Sequence, residues 1–223
     1  MPLSAAALKQ LEHLPEDWSL IPVKCQGSRK APVDPSSGMP LSSWEHLTWE
    51  RDDFASMNGH VNAVGVKLGP PSGGLLQLDF DGSKNGLNEF DAFEQATGQA
   101  FSQLPRTVVW SSTKGWDTDE IKEGRPDGSN GNARFSMAYI IPMEFWDQMP
   151  YERNWPGPKN VEACVQCRFG GFKEDGSIKG AQAVILGAHT ETPGYQWVVS
   201  PVDQQVAEAP DWLIEAILTI NLT

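Results

Sequence analysis

One apolar run that ends in two acids constrains the fold of this chain more than any other feature. It reads Leu75-Leu76-Gln77-Leu78-Asp79-Phe80-Asp81-Gly82 and follows a stretch rich in glycine and proline. Successive side chains of a strand point to opposite faces, so the apolar residues at positions 76, 78 and 80 share one face. The two acids share the other face with Gln77. The run therefore predicts a buried strand that presents Asp79 and Asp81 side by side at its end.

Two chemical interpretations of the acid pair remain open at this point. Neighbouring carboxylates repel each other, and a hard cation such as Mg²⁺ or Mn²⁺, which prefers oxygen ligands, removes that repulsion. Alternatively, the acids end the strand and begin a turn at Asp81-Gly82, because Asp and Gly are both favoured in turns. The pair alone does not decide between a metal site and a turn.

Composition limits the classes of protein to which the chain can belong. Its 223 residues are enough for one large domain or two small ones, and 39% of them are hydrophobic, as in ordinary globular proteins. No apolar run is long enough to span a membrane, and the N-terminus lacks the features of a signal peptide. With an odd number of cysteines, three, we expect a cytoplasmic protein. The formal net charge of −12 argues against strong, sequence-independent DNA binding by this chain alone.

Hydrophobic periodicity and turn residues predict a mixture of helices and strands. Helices are predicted at residues 5–14, 44–49 (with Ser42 or Ser43 as N-cap), 85–97 and 211–218. Strands are predicted at residues 18–23, 61–68, 75–81, 106–110, 135–141, 161–168, 181–186 and 195–199. The segment 181–186 is expected to pair with 161–168 across a polar hairpin tip, and 111–132 is expected to be a long loop. Tyr195 and Trp197 share one strand face and are expected in the core rather than as a base-stacking platform.

Several motifs, in a fixed order, resemble those of the bifunctional primase–polymerases, which belong to the archaeo-eukaryotic primase superfamily. The segment from Val64 to Gly82 resembles the first catalytic segment of that family. The later segment Gly187-Ala188-His189-Thr190-Glu191-Thr192-Pro193-Gly194-Tyr195-Gln196-Trp197 resembles its Ser-x-His…Thr-Gly…Tyr-x-Trp segment. Shorter matches lie at residues 18–23, at Lys30 with Pro32 and Trp44, at 104–107 and at 209–213. The resemblance covers residues 15 to 215, so we expect a single domain over residues 1–223.

The resemblance implies an α+β fold, with an RRM-like antiparallel catalytic sheet and an N-terminal α/β lobe beside it. It implies a template-dependent nucleotidyltransferase, a DNA primase/polymerase of a replication or mobile-element system. Such an enzyme uses two divalent ions, Mg²⁺ or Mn²⁺, with nucleoside triphosphates and a DNA template. Such modules are often fused to a helicase, but the chain contains no Walker A pattern. It is therefore expected to be either a domain excised from a larger protein or a stand-alone protein that recruits a helicase or another replication protein.

The resemblance also assigns roles to individual residues. Asp79 and Asp81 take the roles of metal ligands and catalytic acids. Nucleotide binding falls to four residues: His189, Arg168, Lys114 and Ser136.

Two positions depart from the family pattern. Ser136 stands where family members carry a histidine or a similar polar residue. Gln166 stands where a third metal-binding acid is expected, and Glu162 on the same strand face is roughly 13 Å away at about 3.3 Å per residue. An acidic insertion offers other substitutes: Asp117, Asp119 and Glu120. The departures support an alternative hypothesis, a degenerate, non-catalytic relative that binds nucleotide or a replication partner.

Overall fold

The computed structural model describes residues 2–26, 29–57, 59–82, 84, 87–112, 134–155, 163–189 and 194–219. The helices of these residues are α1 (Ala5–Leu11), α2 (Asp53–Ser56), α3 (Glu89–Thr97) and α4 (Asp211–Leu218). The strands are β1 (Leu20–Gln26), β2 (Arg29–Pro32), β3 (Ala63–Lys67), β4 (Leu75–Asp81), β5 (Val109–Ser111), β6 (Arg134–Ile140), β7 (Glu152–Trp155), β8 (Val165–Arg168), β9 (Gln182–Gly187), β10 (Gln196–Val199) and β11 (Ala207–Glu208). None of the helices in these ranges has the length and apolar character needed to cross a membrane.

The strands form two sheets. The smaller sheet has four strands in the order β2-β1-β3-β9, and the larger has seven, with six in the order β10-β5-β6-β4-β8-β7 and β11 beside β6. The pairing of β11 with β6 is parallel, and the other pairings of these strands are antiparallel. Mostly antiparallel sheets with few helices confirm the predicted α+β class.

Two apolar cores sit on opposite sides of the seven-stranded sheet. One core lies between this sheet and the helices α3 and α4, and contains the aromatic residues Phe80, Phe93, Phe135 and Trp155. The other lies between the two sheets and joins Trp110 and Ala138 of the large sheet to Val64 and Ile185 of the small one. The large sheet is therefore the middle layer of the domain.

Strand β4 is in the centre of the large sheet, between β6 and β8, and its side chains alternate as predicted. Leu76, Leu78 and Phe80 are fully buried under the helices, and we call this side of the sheet the core face. On the other side, which we call the cleft face, Leu75 and Gln77 are buried, while Asp79 and Asp81 are partly exposed. The cleft face thus becomes progressively more open toward the end of the strand that carries the acids.

The predicted hairpin between residues 161–168 and 181–186 is wrong. Strand β8 pairs with β4 and β7 in the large sheet, whereas β9 pairs with β3 in the small one. Gly170 and Gly171, at φ +85° and +112°, turn the chain out of the large sheet. The predicted turn at Asp175-Gly176 is present, and the Asp175 carboxylate accepts from the Ser177 amide at 2.9 Å. The sequence indicated a turn between two strands but not that each strand joins a different sheet.

The segment after Ser43 also differs from the prediction. Instead of an α-helix over residues 44–49, the chain forms one 3-10 turn at Trp44–His46. Ser43, one of the two predicted N-caps, does precede this turn, but it adopts a left-handed conformation, φ 56°, and its side chain makes no capping hydrogen bond. Lys67 holds this segment in place, because its buried ammonium group donates hydrogen bonds to the carbonyl oxygens of Glu45 and Leu47. A tertiary contact from β3 therefore overrides the local helical tendency.

Candidate functional site

A cleft of about 270 Å³ opens between the two sheets and contains both acids of β4. The large sheet contributes side chains from β4, β5, β6 and β8. The small sheet contributes side chains from β2 and β9, with the chain that follows β9 completing the wall. Among the residues that line the cleft are Asp79, Asp81, Ser136, Arg168, Lys30 and His189.

Asp79 is held by a chain of hydrogen bonds across two strands. The register places Ser136 of β6 directly opposite Asp79, and the Ser136 hydroxyl donates to Asp79 Oδ1 at 2.8 Å. Gln77, two residues before Asp79 on the same face, donates its Nε2 to the Ser136 oxygen at 3.0 Å. Because the hydroxyl has a single proton, the bond from Gln77 leaves that proton for Asp79. One carboxylate oxygen of Asp79 is thus fixed.

Opposing effects act on the ionisation of Asp79. Burial raises the pKa of its carboxyl above the ordinary value of 3.8. The Arg168 guanidinium and the hydrogen bond from Ser136 act in the opposite direction, whereas the neighbouring Asp81 adds to the increase and Lys30 opposes it. The net direction is upward, so this carboxylate is held in a setting that disfavours its charge.

Asp81 lies nearer the solvent and is paired with cations. Lys84 Nζ lies 2.5 Å from its Oδ2, and Arg134 Nε lies 3.8 Å from its Oδ1. The Asp81 side chain is 39% exposed, so solvent weakens both pairs. A metal cation that binds Asp81 would therefore replace ion pairs that are weak.

Arg168 on β8 is held by its neighbours. Its guanidinium donates to the Gln166 carboxamide oxygen, and its Nε lies 3.4 Å from Glu152 Oε2 on β7. Asn154 donates to the other oxygen of Glu152 at 2.8 Å. Gln166 is directly opposite Asp79 in the register, so the cleft face has a neutral amide beside its inner acid. The family resemblance implies a third acid at this position.

The small-sheet side of the cleft carries a cation and two rings. The Lys30 ammonium lies 5.2 Å from the centre of the Tyr195 ring, and His189 meets the same ring edge to face at 5.5 Å. Gly187, at the end of β9, has φ +97°, and the Tyr195 amide donates to the Gly187 carbonyl at 2.8 Å. This hydrogen bond holds Tyr195 beside the end of β9, next to the cleft.

The structure brings together five of the six predicted site residues: Asp79, Asp81, Ser136, Arg168 and His189. Lys114 lies outside the described residues, and so do Glu162 and the proposed substitute acids of the insertion, Asp117, Asp119 and Glu120.

Further cleft residues that had no assigned role include Lys30, Gln77, Arg134 and Tyr195. Strand alternation could have identified two of them, because Gln77 shares a face with Asp79, and Arg134 shares one with Ser136. Tyr195 was expected in the core, and its half-buried side chain does pack against the core between the sheets, but it also lines the cleft. Its neighbour in the same prediction, Trp197, packs on Trp18 and Trp110, with ring centroids 6.3 and 5.8 Å apart.

The cleft offers ligands for one hard cation. Mg²⁺ in proteins is often held by one or two carboxylates together with substrate phosphates, and Asp79 and Asp81 supply two carboxylates on one face. Within the part of the chain that the structure describes, no group of three or more His, Cys, Asp or Glu side chains could hold a metal. The Gln166 side chain, directly opposite Asp79 on β8, has an amide oxygen, but this oxygen already accepts a hydrogen bond from Arg168. The described residues fit a cation completed by substrate phosphates, and they do not form a closed metal cage.

Paired carboxylates that face arginine and lysine side chains are suited to phosphoryl-group transfer, in which negative charge on phosphates must be stabilised. The family model for the N-terminal domain of bifunctional DNA primase/polymerases matches residues 10–212. The chain therefore belongs to the bifunctional DNA primase/polymerase family, as its motifs indicated. Membership indicates a primase/polymerase-type nucleotidyltransferase, implies nucleotide and DNA binding, and brings a typical dependence on divalent metal ions. No curated protein matches the chain.

Proposed function

We propose that this chain is a template-dependent DNA primase/polymerase whose reaction takes place in the cleft between the two sheets. A 3′ hydroxyl attacks the α-phosphate of a nucleoside triphosphate, a new phosphodiester bond forms, and pyrophosphate leaves. A bound Mg²⁺ or Mn²⁺ supplies positive charge to the phosphates during this step. Asp79 and Asp81 are the residues that would hold the ion.

The remaining residues of the cleft bind and orient the substrate. Arg168 is anchored by Glu152 and Gln166, so its guanidinium is fixed before the triphosphate arrives. Lys30 and His189 approach from the small sheet and extend phosphate binding to the opposite wall. Lys114 and Ser136 complete the proposed nucleotide-binding set, with Ser136 acting through the orientation of Asp79.

The main support for this proposal is that residues distant in sequence converge on one cleft. Two acids from β4, a serine from β6, an arginine from β8 and a histidine after β9 are distant in sequence, yet they line one cleft. The family match covers residues 10–212 and so includes all of them. Convergence of this set on one cleft supports a common substrate, and the family supplies its chemical class.

A second candidate function has its own support. Gln166, whose amide oxygen accepts a hydrogen bond from Arg168, stands where the family resemblance implies an acid, and Ser136 stands at the position of the expected histidine. These two replacements favour a non-catalytic relative that binds a nucleoside triphosphate or a replication partner without turnover.

An extension assay separates the two functions. The protein is incubated with Mn²⁺, a primed DNA template and labelled deoxynucleoside triphosphates, beside the double variant Asp79→Ala/Asp81→Ala. A matched control, Glu12→Ala/Glu16→Ala, removes two exposed acids outside the cleft. Extension by wild type and control but not by the cleft variant supports the enzyme. No extension by the wild type, with calorimetric binding of the triphosphate, supports the binder.

We extend the proposal to the partners, the location and the domain organisation of the protein. Because the net charge is −12, template binding by this chain alone is weak, and a helicase or another replication protein is proposed to deliver the DNA. We also propose a cytoplasmic location and an RRM-like arrangement for the catalytic part of the seven-stranded sheet. The domain is proposed to act as one unit over residues 1–223.

A further inference from the structure

The cleft face presents its polar side chains in two rows across the middle strands. The first row runs Ser136, Asp79, Gln166 and Asn154 across β6, β4, β8 and β7. The second row runs Ala138, Gln77, Arg168 and Glu152 across the same strands. The first row contains one carboxylate, and Asp81, two residues beyond Asp79, is the second acid of the cleft.

Among the strand residues that the structure describes, one more carboxylate of this face, Glu152, is too far from the acid pair and already makes other contacts. It lies on β7, two strands from β4, which corresponds to about 9–10 Å between backbones at about 4.8 Å per strand. Its two oxygens accept from Asn154 at 2.8 Å and face Arg168 Nε at 3.4 Å. Glu152 therefore serves Arg168 and is not a ligand that could join Asp79 and Asp81.

The Arg168 guanidinium places a positive charge in the part of the cleft where a third acid would bind a second cation. Arg168 follows Gln166 on the same face, lines the cleft and is held in place by both Gln166 and Glu152. A divalent cation near Gln166 would meet a fixed guanidinium and a neutral oxygen that is already bonded. Coulomb repulsion between the two cations disfavours a cation there, and within the described residues no further carboxylate is placed to hold one.

We infer that this cleft binds a nucleoside triphosphate with one divalent cation, held by Asp79 and Asp81, and that Arg168 takes the place of a second cation. This inference rests on the proposed function for its ligand. Gln166 is then the residue that sets the number of ions. Its replacement by an acid places a carboxylate directly opposite Asp79, with one oxygen available to pair with Arg168 and a second, negatively charged oxygen available to a cation.

Counting bound ions tests the inference without relying on turnover. The protein is equilibrated by dialysis with Mn²⁺ and a nucleoside triphosphate analogue that has a methylene bridge between its α- and β-phosphates. Manganese and nucleotide bound per protein are counted, and the manganese signal is recorded by electron paramagnetic resonance. Two ions about 3.5–4 Å apart, as in two-metal sites, give a coupled spectrum that a single ion does not.

We expect one Mn²⁺ per bound nucleotide in the wild type and in Gln166→Asn, and two with a coupled spectrum in Gln166→Asp. Asn is the matched control because it has the size of Asp without its charge. Two ions in the wild type, or one ion in Gln166→Asp, would overturn the inference.

The double variant Asp79→Ala/Asp81→Ala separates this inference from the proposed function. Its loss of bound manganese, combined with two ions in the wild type, overturns only the one-cation inference. If the double variant retains manganese and nucleotide at wild-type levels, the proposed site is wrong and the inference fails with it.

Discussion

The two faces of the seven-stranded sheet are built from the same strands but have different roles. On the core face, the Phe80 ring stacks on Phe135 at 4.6 Å with an interplanar angle of 5°, and Phe101 meets it edge on at 5.2 Å. On the cleft face, one residue away in the chain, Asp79 and Asp81 stand among arginine, lysine and amide groups. The core face stabilises the sheet by apolar burial, whereas the cleft face concentrates charge that the fold has to hold in position.

The comparison of the two faces shows that the position of the acids depends on the packing of the opposite face of their own strand, β4. The core face fixes the backbone of β4, and hydrogen bonds from Ser136 and Gln77 then fix the acid. Substitutions on the core face should therefore act on stability, and substitutions on the cleft face should act on ligand binding.

The largest effect is expected for Phe80→Ala on the core face. Phe80 is completely buried, so its truncation leaves a cavity and should lower the free energy of unfolding by about 3–5 kcal/mol. Urea unfolding followed by tryptophan fluorescence measures the change. Phe172→Ala is the matched control, because Phe172 is 41% exposed and its loss should change stability by about 0.5 kcal/mol or less. Equal effects of the two substitutions would contradict the assignment of the core face.

The next largest effect is expected for Arg168→Gln on the cleft face. Loss of a charge-assisted contact to phosphate, worth about 1.5–3 kcal/mol, should weaken triphosphate binding by roughly 10- to 100-fold. Isothermal titration calorimetry measures the affinity. Arg153→Gln is the control, because Arg153 precedes Asn154 on β7, faces the core side and donates to the Ile217 carbonyl at 3.0 Å. Unchanged affinity in Arg168→Gln, or equal losses in both variants, would remove Arg168 from the site.

Asp79→Asn should separate stability from function at one position. Because the pKa of Asp79 is raised in the folded state, its stabilising contribution is present below the ordinary value of 3.8 and is lost as pH rises through the folded-state pKa. At neutral pH the ionised side chain is therefore unfavourable. The amide should raise the free energy of unfolding by about 0.5–2 kcal/mol at pH 7 while abolishing extension.

Urea unfolding with EDTA present, at pH 7 and again near pH 3.5, tests this sign. The gain from Asp79→Asn should shrink at the lower pH. Asp81→Asn is the comparison, since it removes partly exposed ion pairs and should cost about 0–1 kcal/mol. A loss of stability in Asp79→Asn at pH 7 would show that its charge is better compensated than the geometry indicates.

The smallest effect is expected for Lys30→Met, on the small-sheet wall of the cleft. Lys30 is exposed, so its contribution to triphosphate binding should be about 0.2–1 kcal/mol, less than roughly sixfold in affinity, and should fall with added salt. Lys24→Met is the control, because Lys24 pairs with Ala31 and faces the other side of the small sheet from Lys30. Calorimetric titrations at low and high salt compare the two variants. Identical salt dependence in both would place Lys30 outside the binding site.

The sequence predicted those parts of the molecule that depend on local pattern. The alternation along residues 75–81 predicted which side of β4 is apolar, and the order of the motifs predicted that Asp79, Ser136, Arg168 and His189 belong to one site. The assignment of β8 and β9 to different sheets was not predictable, because a strand pattern carries no information about a distant partner. Lys30 was missed as a cleft residue for the same reason, since β2 reaches the acids only through the packing of the two sheets.

A crystal structure of the protein with Mn²⁺ and an α,β-methylene nucleoside triphosphate analogue tests the central claim most directly. Anomalous scattering would locate the manganese independently of the rest of the electron density. We expect one peak within about 2.5 Å of carboxylate oxygens from both Asp79 and Asp81, with the triphosphate reaching toward Arg168 and Lys30. A nucleotide bound outside the cleft, or manganese that does not contact these two acids, would contradict it.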